Sequence, residues 1–458
     1  MTATDELDRT CEAAAAAAAP YAATSPGVRA ALLSDIADRL DADSAALVAL
    51  AEKETHLSAA RLTGEVARTT GQLRSFARLL GAPAPVVVDH PDGFPELRRY
   101  LVALGPVAVF AASNFPFAFS VAGGDTASAL AAGCPVVVKA HPGHPALSMA
   151  TAAHIAAAVE AAGLPSGVFG LVDGWETGPA LVQHPVIAAV GFTGSTEGGR
   201  ALFELAAARP APIPFYGELG SVNPVYVTAE AARARLADIA QGFVGSFTLG
   251  AGQFCTKPGL VFVPDADAFA AAAAAALGDV APAAMLNERI RDGYESLAPR
   301  YEDHQGVRVV RRGGADGDAV EPSLYATTAD VFLADIDELG AERFGPSALI
   351  VGYRDPGELS TIARAVGGTL TSTFQAESAG DDGLDVLVAE AIRHSGRLVW
   401  NGWPTGVAVS PAMTHGGPYP ASTAAASTSV GTAAIDRFLR PVTLQGFPDD
   451  ADPVRPAI

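Results

Sequence analysis

The chain has 458 residues, with 30 basic and 50 acidic side chains and a formal net charge of −20. This length exceeds that of an ordinary single domain, so we expect two large lobes. The strong negative charge disfavours nonspecific binding to nucleic acid or to an anionic membrane. Alanine runs such as "CEAAAAAAAP" account for much of the apolar content and predict helices, because alanine is the best helix former.

The start and the cysteine content argue against export and metal binding. "MTATDELDRT" is acidic and lacks the basic and apolar regions of a secretory signal, so we expect a cytoplasmic protein. Cys11, Cys134 and Cys255 show no CxxC spacing, which argues against a disulfide framework or a structural zinc site. We therefore expect no metal.

The first hundred residues predict helices and a hairpin. Helices are expected at about 28–54 and 59–80. The segment "VVVDHPDGFPELRRYLVAL" has a turn signal, "PDGFP", between two strand-like runs. It predicts an inserted β-hairpin at about 85–103.

From residue 106, valine-rich apolar runs alternate with helical segments. The runs are "PVAVFAA" (106–112), "PVVVK" (135–139), "GVFGLV" (167–172), "VIAAVGF" (186–192) and "IPFYGEL" (213–219). Strands that are apolar throughout are typical of a parallel sheet buried on both faces. This pattern predicts a doubly wound, Rossmann-like domain of the α/β class.

A second α/β series follows. Its strand-like runs are "NPVYV" (223–227), "LVFVP" (260–264), "SALIVGY" (347–353), "TLTSTF" (369–374) and "RLVWNGW" (397–403). The region 278–340 permits no assignment, and the tail "SVGTAAIDRFLRPVTLQGF" predicts an extended closing segment.

One cysteine lies in a polar loop, "GAGQFCTKPG". Cys255 is either a small buried residue or a nucleophile, and Lys257 nearby would favour its thiolate. Asn114, in "AASNFPF", follows the first strand of the α/β series and could donate to an oxyanion or cap a turn. Glu218, in "FYGELGSVNP", could activate water as a base or serve as a helix cap or surface carboxylate.

Other residues suggest a dinucleotide site. Lys139 ends the second strand of the series, where an ammonium could hold a ribose or phosphate. Gly194 and Ser195, in "GFTGSTEGG", precede a helix whose free amides could receive a pyrophosphate. Glu342 and Phe344, in "AERFGP", could hold ribose hydroxyls and stack on a ring, although capping and packing explain them equally well.

Together, the motifs "SNFPF", "VVVKAHPGHP", "GFTGST", "ELGSVNP", "GQFCTKPG", "ERFGP" and "NGWPTGV" resemble the aldehyde dehydrogenase superfamily over about residues 10–445. The wording of several motifs is similar to the bacterial branch that contains 2-oxoglutarate semialdehyde dehydrogenases and NADP-dependent fatty aldehyde dehydrogenases. The resemblance implies an aldehyde-dehydrogenase-like fold with a Rossmann-like cofactor domain, an α/β catalytic domain and a small β oligomerisation element. The implied segments are an NAD(P)-binding domain (1–220), a catalytic domain (221–430) and a C-terminal oligomerisation segment (431–458).

The resemblance also implies roles for the catalytic residues. Cys255 would attack the aldehyde, Asn114 and the backbone N–H of Cys255 would hold the oxyanion, and Glu218 would activate water to release the acid.

For the cofactor, the resemblance implies that Lys139 and Ser195, next to Gly194, contact the adenosine ribose and pyrophosphate of NADP or NAD. Glu342 and Phe344 would grip the nicotinamide riboside. Members that use only NAD often carry a glutamate where Pro142 stands, so we expect NADP to be accepted.

We therefore expect NAD(P)-dependent oxidation of a small-molecule aldehyde by a homodimer or homotetramer. 2-Oxoglutarate semialdehyde is one candidate substrate, and a medium- or long-chain fatty aldehyde is the alternative. Three further functions are compatible with parts of the sequence: a CoA-acylating reductase, a thiol hydrolase that pairs Cys255 with His415, and a catalytically inactive relative with a binding or structural role.

Overall fold

The structure, a computed structural model, describes residues 3–82, 86–278, 280–317, 319–448 and 451. Residue 85 of the predicted hairpin and residues 449, 450 and 452–458 of the predicted C-terminal segment lie outside the described residues. The chain forms two compact units. The first comprises Met1–Gly217, Val409–Met413 and Ser427–Ile458, and the second comprises Glu218–Ala408 and Thr414–Ala426. The predicted functional boundaries at 220 and 430 stay predictions.

The first unit begins with four helices and a hairpin: α1 (Ala3–Ala22), α2 (Pro26–Ala42), α3 (Ser44–Thr55), α4 (Ala59–Leu80), β1 (Val87–Asp89) and β2 (Leu97–Ala103). The single helix predicted at 28–54 is two helices, because the backbone leaves the helical region at Asp43 (φ −104°, ψ 13°). Ser25 caps α2 and Ser58 caps α4, each through its side-chain oxygen. The hairpin is confirmed, since β1 and β2 pair antiparallel.

An α/β series completes the main part of this unit: β3 (Val107–Phe110), α5 (Gly124–Ala132), β4 (Val136–Lys139), α6 (Pro145–Ala161), β5 (Phe169–Val172), α7 (Thr177–Gln183), β6 (Ala189–Thr193), α8 (Thr196–Ala207) and β7 (Phe215–Glu218). The strand order is β5-β4-β3-β6-β7, and β3 pairs in parallel with both β4 and β6. This order confirms the Rossmann-like prediction. The order reverses at β3, which is the place where ligands bind in open α/β sheets.

The second unit contains a longer series: β8 (Val225–Val227), α9 (Ala229–Thr248), β9 (Leu260–Val263), α10 (Ala266–Leu277), β10 (Ala283–Ala284), α11 (Glu288–Glu302), β11 (Arg308–Arg311), β12 (Ala315–Asp316), β13 (Ala319–Val320), β14 (Ser323–Thr328), α12 (Ala329–Ala334), α13 (Ile336–Leu339), β15 (Ser347–Gly352), α14 (Pro356–Val366), β16 (Thr369–Gln375), α15 (Leu384–His394) and β17 (Ser395–Trp400). Seven strands form one sheet in the order β11-β14-β15-β9-β8-β16-β17. All neighbours in it are parallel except β11 and β14. Helices cover a core on each face of such a sheet.

The region without a sequence-based assignment contains an almost fully buried strand. β14 lies between β11 and β15, and only its last residue is exposed. Two short strands, β12 and β13, pair nearby and make a small sheet with β10.

The closing segment returns to the first unit. A 3₁₀ turn over Thr432–Phe438 leads into β18 (Leu439–Gln445), which pairs antiparallel with β2 along its whole length. The result is a three-stranded sheet in the order β1-β2-β18. Among the described residues, no helix combines the length and the apolar character needed to span a membrane.

A buried ion pair joins the closing segment to the doubly wound core. The Arg437 guanidinium lies 2.7 Å from the Asp125 carboxylate, and both side chains are nearly inaccessible. Breaking a buried pair leaves an uncompensated charge and typically costs about 3–5 kcal/mol. We expect Asp125→Asn to lower the free energy of unfolding by about 3 kcal/mol, as measured by urea denaturation.

Glu204→Gln is the matched control for this prediction. It breaks the pair between Arg200 and Glu204, whose side chains are 48% and 60% exposed, and should cost less than about 1 kcal/mol. Equal effects of Asp125→Asn and Glu204→Gln would show that the buried pair has no special role.

Candidate active site

The cysteine singled out from the sequence lies just after a tight turn. Gly250, Ala251 and Gly252 all have positive φ angles, of 57°, 55° and 65°. A side chain at Gly252 would collide with the carbonyl oxygen of Gly345, so only glycine fits at this close approach. Cys255 is partly exposed and follows this turn, and β9 begins five residues later in the chain at Leu260.

One buried amide holds the cysteine loop. Asn223 is fully buried, and its side-chain nitrogen donates to the carbonyl oxygens of Cys255 at 2.7 Å and Lys257 at 3.0 Å. Asn223 itself has a left-handed backbone (φ 47°), which asparagine tolerates better than most residues. The loop that carries the thiol is therefore fixed by hydrogen bonds to its backbone.

The thiol belongs to a cluster of three side chains. The Sγ atom of Cys255 lies 3.5 Å from Nε2 of His415, and this nitrogen lies 3.6 Å from Oε1 of Glu218. The three possible ligand or proton-carrying atoms all lie within 4.8 Å of one another, and Glu218 and His415 are buried. The structure therefore brings together the predicted pair of Cys255 and Glu218 and adds a histidine between them.

The sequence suggests a role for His415 only as the partner of Cys255 in a thiol hydrolase. His415 stands in "MTHGGP", a glycine- and proline-rich stretch with no strand or helix pattern. The position of a single histidine in such a stretch relative to other side chains cannot be predicted from the sequence. Its role becomes visible only when the fold places it beside Cys255.

The carboxylate of Glu218 is buried, and in the described part of the chain it makes no hydrogen bond. The residue is 4% exposed, and neither side-chain oxygen has a hydrogen-bond partner among the described residues. The backbone around it is paired, since Leu219 donates to the carbonyl oxygen of Ala421 at 2.8 Å. An unsatisfied buried carboxylate is costly, which is typical of a group reserved for chemistry.

Lys257 does not take the place expected from the sequence. It was expected to favour the thiolate of Cys255, but its ammonium donates to the carbonyl oxygens of Arg343 at 2.6 Å and Ser347 at 2.8 Å. Burial lowers the pKa of Lys257, and the nearby Glu342 carboxylate opposes this shift. The lysine thus ties the cysteine loop to the segment that carries Glu342.

Glu342 lines a small cavity in the second unit, together with Ser221, Lys257 and Tyr301. Burial raises the pKa of Glu342, while Lys257 and the backbone N–H of Ser221 oppose the rise. Phe344, two residues later, is partly exposed. The two residues predicted to grip the nicotinamide riboside therefore lie on a segment that Lys257 holds.

The other predicted residues belong to the first unit. The backbone carbonyl of Asn114, in the loop after β3, accepts a hydrogen bond from Arg61 at 2.6 Å. Lys139 ends β4, is 8% exposed and donates to the carbonyl oxygen of Ala140 at 2.9 Å. Burial lowers the pKa of Lys139, and Asp173 opposes this shift.

The start of α8 suits a phosphate group. Ser195 caps this helix by accepting from the N–H of Gly198 at 3.2 Å, and both Ser195 and Gly194 are exposed. A side chain at Gly194 would come within 2.7 Å of the Phe192 ring. An exposed helix start after β6, beside the point where the strand order reverses, and a buried ammonium after β4 fit the adenosine half of a dinucleotide.

The family model described as "Aldehyde dehydrogenase family" matches residues 1–441. The chain belongs to the aldehyde dehydrogenase family. It is accordingly an oxidoreductase that acts on aldehydes with NAD or NADP, and the predicted fold class and enzyme class are confirmed.

Two relatives are similar over most of both chains. The chain is 47% identical to alpha-ketoglutaric semialdehyde dehydrogenase 2 of Azospirillum brasilense, covering 98% of this chain and 88% of the relative. It is 43% identical to alpha-ketoglutaric semialdehyde dehydrogenase of Acinetobacter baylyi, covering 96% and 86%. These names confirm the bacterial branch that the motifs resemble.

A solved structure shows the same architecture within a longer chain. A mutant of proline utilization A from Bradyrhizobium japonicum superposes with a TM-score of 0.84 at 25% identity. The match covers 97% of this chain but only 45% of that protein.

The loop held by Asn223 leads to a testable expectation. Asn223→Gly keeps the left-handed backbone without strain but removes the donor to the carbonyls of Cys255 and Lys257. Buried acceptors left without a donor cost about 1–3 kcal/mol each, so the loop should loosen. We expect kcat/KM to fall about tenfold, or about 1.4 kcal/mol of transition-state stabilisation, in steady-state kinetics.

Asn287→Ala serves as the control, because it removes one hydrogen bond to the N–H of Ile290 at the start of α11. It should lower stability by about 1 kcal/mol and leave kcat/KM unchanged. Wild-type kcat/KM in the Asn223→Gly variant would show that the loop keeps its shape without the amide.

Proposed function

We propose that this chain oxidises 2-oxoglutarate semialdehyde to 2-oxoglutarate, with NADP or NAD as hydride acceptor. The observation that carries the proposal is the cluster of Cys255, His415 and Glu218, which joins a nucleophile, a proton carrier and a buried base. The choice of substrate is supported by the two alpha-ketoglutaric semialdehyde dehydrogenases, at 47% and 43% identity.

In the first half of the reaction, Cys255 attacks the aldehyde carbon. His415, with Nε2 at 3.5 Å from Sγ, is placed to take the proton of the thiol. The oxygen of the thiohemiacetal becomes an oxyanion, and the side-chain amide of Asn114 and the backbone N–H of Cys255 are its proposed donors. Nicotinamide, when bound, supplies the acceptor for hydride.

In the second half, water attacks the thioester. Glu218 is the proposed base, because both of its oxygens are free of hydrogen bonds within the described part of the chain and can accept a proton from water. His415 lies 3.6 Å from Glu218, so a proton taken from the thiol can pass on to the carboxylate.

The first unit would hold the adenosine half of the cofactor through Lys139, Gly194 and Ser195, and Glu342 and Phe344 would hold the nicotinamide riboside. Pro142 brings no carboxylate against a 2′-phosphate, which favours acceptance of NADP. We also propose a cytoplasmic location for the protein.

The competing functions differ in substrate or in the acyl acceptor. A fatty aldehyde dehydrogenase would use the same cluster with a longer apolar substrate. A CoA-acylating reductase transfers its acyl group to CoA and needs no base that activates water. Glu218, the proposed base, therefore counts against this function. A thiol hydrolase with Cys255 and His415 leaves membership of a dehydrogenase family unexplained.

The substrate proposal is tested by comparing kcat/KM for 2-oxoglutarate semialdehyde, pentanal and dodecanal, each with NADP and with NAD. We expect the semialdehyde to exceed pentanal by about tenfold or more, since its carboxylate adds a charged contact. Cys255→Ala, measured in parallel, should abolish the oxidation of all three aldehydes. A higher kcat/KM for dodecanal than for the semialdehyde would favour the fatty aldehyde dehydrogenase.

The two halves of the reaction predict different defects in rapid kinetics. Glu218→Gln should give a first burst of reduced cofactor and then turnover slowed by about a hundredfold, because thioester hydrolysis loses its base. His415→Gln should instead slow the burst, because the thiol loses its proton acceptor. A normal burst rate in His415→Gln would exclude the proposed role of the histidine.

The hairpin predicts self-association into a homodimer or homotetramer. Val87 and Val88 on β1 are 50% and 51% exposed, and Phe94 in the turn is 66% exposed. β1 is the edge of its sheet, and exposed apolar edges are normally covered. We expect at least a dimeric mass by light scattering at micromolar concentration, and Val88→Lys should shift it towards the monomer.

Met149→Lys is the control for this experiment. Met149 is also apolar and 66% exposed, but it lies on α6 and outside the hairpin, so its substitution should leave the mass unchanged. A monomeric wild-type protein would contradict the assembly proposal.

A further inference from the structure

An enzyme that binds a carboxylate-bearing aldehyde needs a cation near its nucleophile. Two basic residues of the second unit, Lys257 and Arg343, lie near the cysteine loop, but both already have hydrogen-bond or ion-pair partners. The Lys257 ammonium donates to two backbone carbonyls and interacts with Glu342. Arg343 pairs with Glu338 at 2.8 Å and lies over the Tyr301 ring. Neither offers a free charge to an incoming anion.

Arg397, on β17, has only neutral hydrogen-bond partners among the described residues. Its Nε donates to the hydroxyl of Thr371 at 3.3 Å, and its other two nitrogens donate to the carbonyl oxygens of Gly406, at 3.0 Å, and Pro404. No carboxylate of the described residues forms an ion pair with it. The guanidinium therefore keeps its positive charge and still has N–H groups to donate.

The strand that carries this arginine lies beside the segment that carries His415. Gly396, the preceding residue, packs so closely that a side chain on it would collide with the carbonyl oxygen of Gly416. Gly416 directly follows His415, whose Nε2 is 3.5 Å from Sγ of Cys255. β17 thus runs against the segment that carries the histidine.

Electrostatics agree with this placement. Burial lowers the pKa of Arg397, and the acidic group that opposes this shift is the thiol of Cys255. The guanidinium and the nucleophile therefore act on each other through space.

We propose that Arg397 receives the carboxylate of the substrate and so selects short anionic aldehydes over neutral ones. This inference rests on the proposed function, whose substrate class it explains. A guanidinium can bind a carboxylate through two parallel hydrogen bonds, which gives both attraction and orientation. A fatty aldehyde has no group to meet this charge.

The contacts of Arg397 also preorganise it. Three hydrogen bonds, to Thr371, Pro404 and Gly406, fix the plane of the guanidinium before the substrate arrives. A fixed donor loses less conformational freedom on binding than a mobile one. The same contacts predict that substitution also loosens the loop at 404–406, so the experiment has to separate the two effects.

The first measurement uses alkylation of Cys255 and needs no dehydrogenase activity. Iodoacetate is anionic and iodoacetamide is neutral, but both react with the same thiol. We expect Arg397→Gln to lower the ratio of the iodoacetate rate to the iodoacetamide rate about tenfold, and Arg397→Lys to preserve most of it. An unchanged ratio in Arg397→Gln would overturn the proposal.

The second measurement compares kcat/KM for 2-oxoglutarate semialdehyde with that for pentanal, which has the same number of carbons and no carboxylate. Arg397→Gln should lower the value for the semialdehyde about ten- to a hundredfold more than the value for pentanal. Equal losses for both would mean that the arginine only holds the loop, and would overturn the proposal.

The control is Arg209→Gln, in the first unit. Arg209 also donates to three backbone carbonyls, those of Val182, Ile187 and Pro185. Its substitution should affect both aldehydes and both alkylating reagents equally.

If Arg397→Gln does not fold, the Arg397→Lys variant tests the proposal instead. Arg397→Lys keeps the charge but loses the planar fork, so the semialdehyde should lose more kcat/KM than pentanal, and equal losses would overturn the proposal. Failure of the proposed function looks different. In that case the wild-type enzyme would not favour the semialdehyde, while the alkylation ratio would still report on Arg397.

Discussion

The catalytic chemistry of the second unit depends on the buried amide of Asn223. Its nitrogen binds the backbone of the cysteine loop, and its oxygen accepts a hydrogen bond from Ser221 at 2.9 Å. Ser221 in turn accepts from the N–H of Leu370, at the start of β16, at 2.9 Å. Through Asn223 and Ser221, the segment after Glu218 is therefore connected to the loop of Cys255 and to β16, an interior strand of the sheet. This explains how a thiol on a loop can keep a fixed distance to the carboxylate of Glu218 at the end of β7.

The buried charges near this loop fall into two kinds. Lys257 and Glu342 compensate each other and have backbone partners, so their burial is supported by the surrounding structure. Glu218 has no such partner on its carboxylate among the described residues. Since a buried carboxylate without hydrogen bonds costs free energy, it persists only where the surrounding fold holds it and where a reaction uses it. This contrast separates a structural pair from a reactive group more clearly than burial alone.

Local patterns predicted much of the fold. Alternating valine-rich runs and capped helices predicted the first sheet, because parallel strands buried on both faces have a composition that differs from the helices around them. The buried strand β14 was not predicted, because its sequence "SLYATT" lies among polar and glycine-rich residues in which apolar residues do not recur at the spacing of a strand or a helix. The break at Asp43 was missed for a related reason: apolar residues continue on both sides of it, and only the backbone shows the turn.

The site was predictable to a different extent. Cys255 and Glu218 stood out because a polar loop and an interrupted strand gave each of them an unusual setting. The direction of the Lys257 side chain and the contact between His415 and Cys255 were not predictable, because both depend on segments distant in the chain. Lys257 lies two residues from Cys255 in the sequence, which suggested that its ammonium would stabilise the thiolate. In the structure this buried ammonium instead donates to the carbonyl oxygens of Arg343 and Ser347.

The geometry of His415 connects these observations to the order of proton transfers. Its Nε2 lies almost equally far from Sγ of Cys255, at 3.5 Å, and from Oε1 of Glu218, at 3.6 Å. The second distance exceeds that of an ordinary N–H···O hydrogen bond, so the nitrogen is not committed to the carboxylate. A small movement of the ring would bring it to either partner. Such a nitrogen can take a proton from the thiol when Cys255 attacks and deliver it towards Glu218 afterwards, but the carboxylate must be unprotonated again before it can accept from water. Release of that proton to solvent between the two halves is therefore a requirement of the proposed cycle, and it follows from having one base serve both steps.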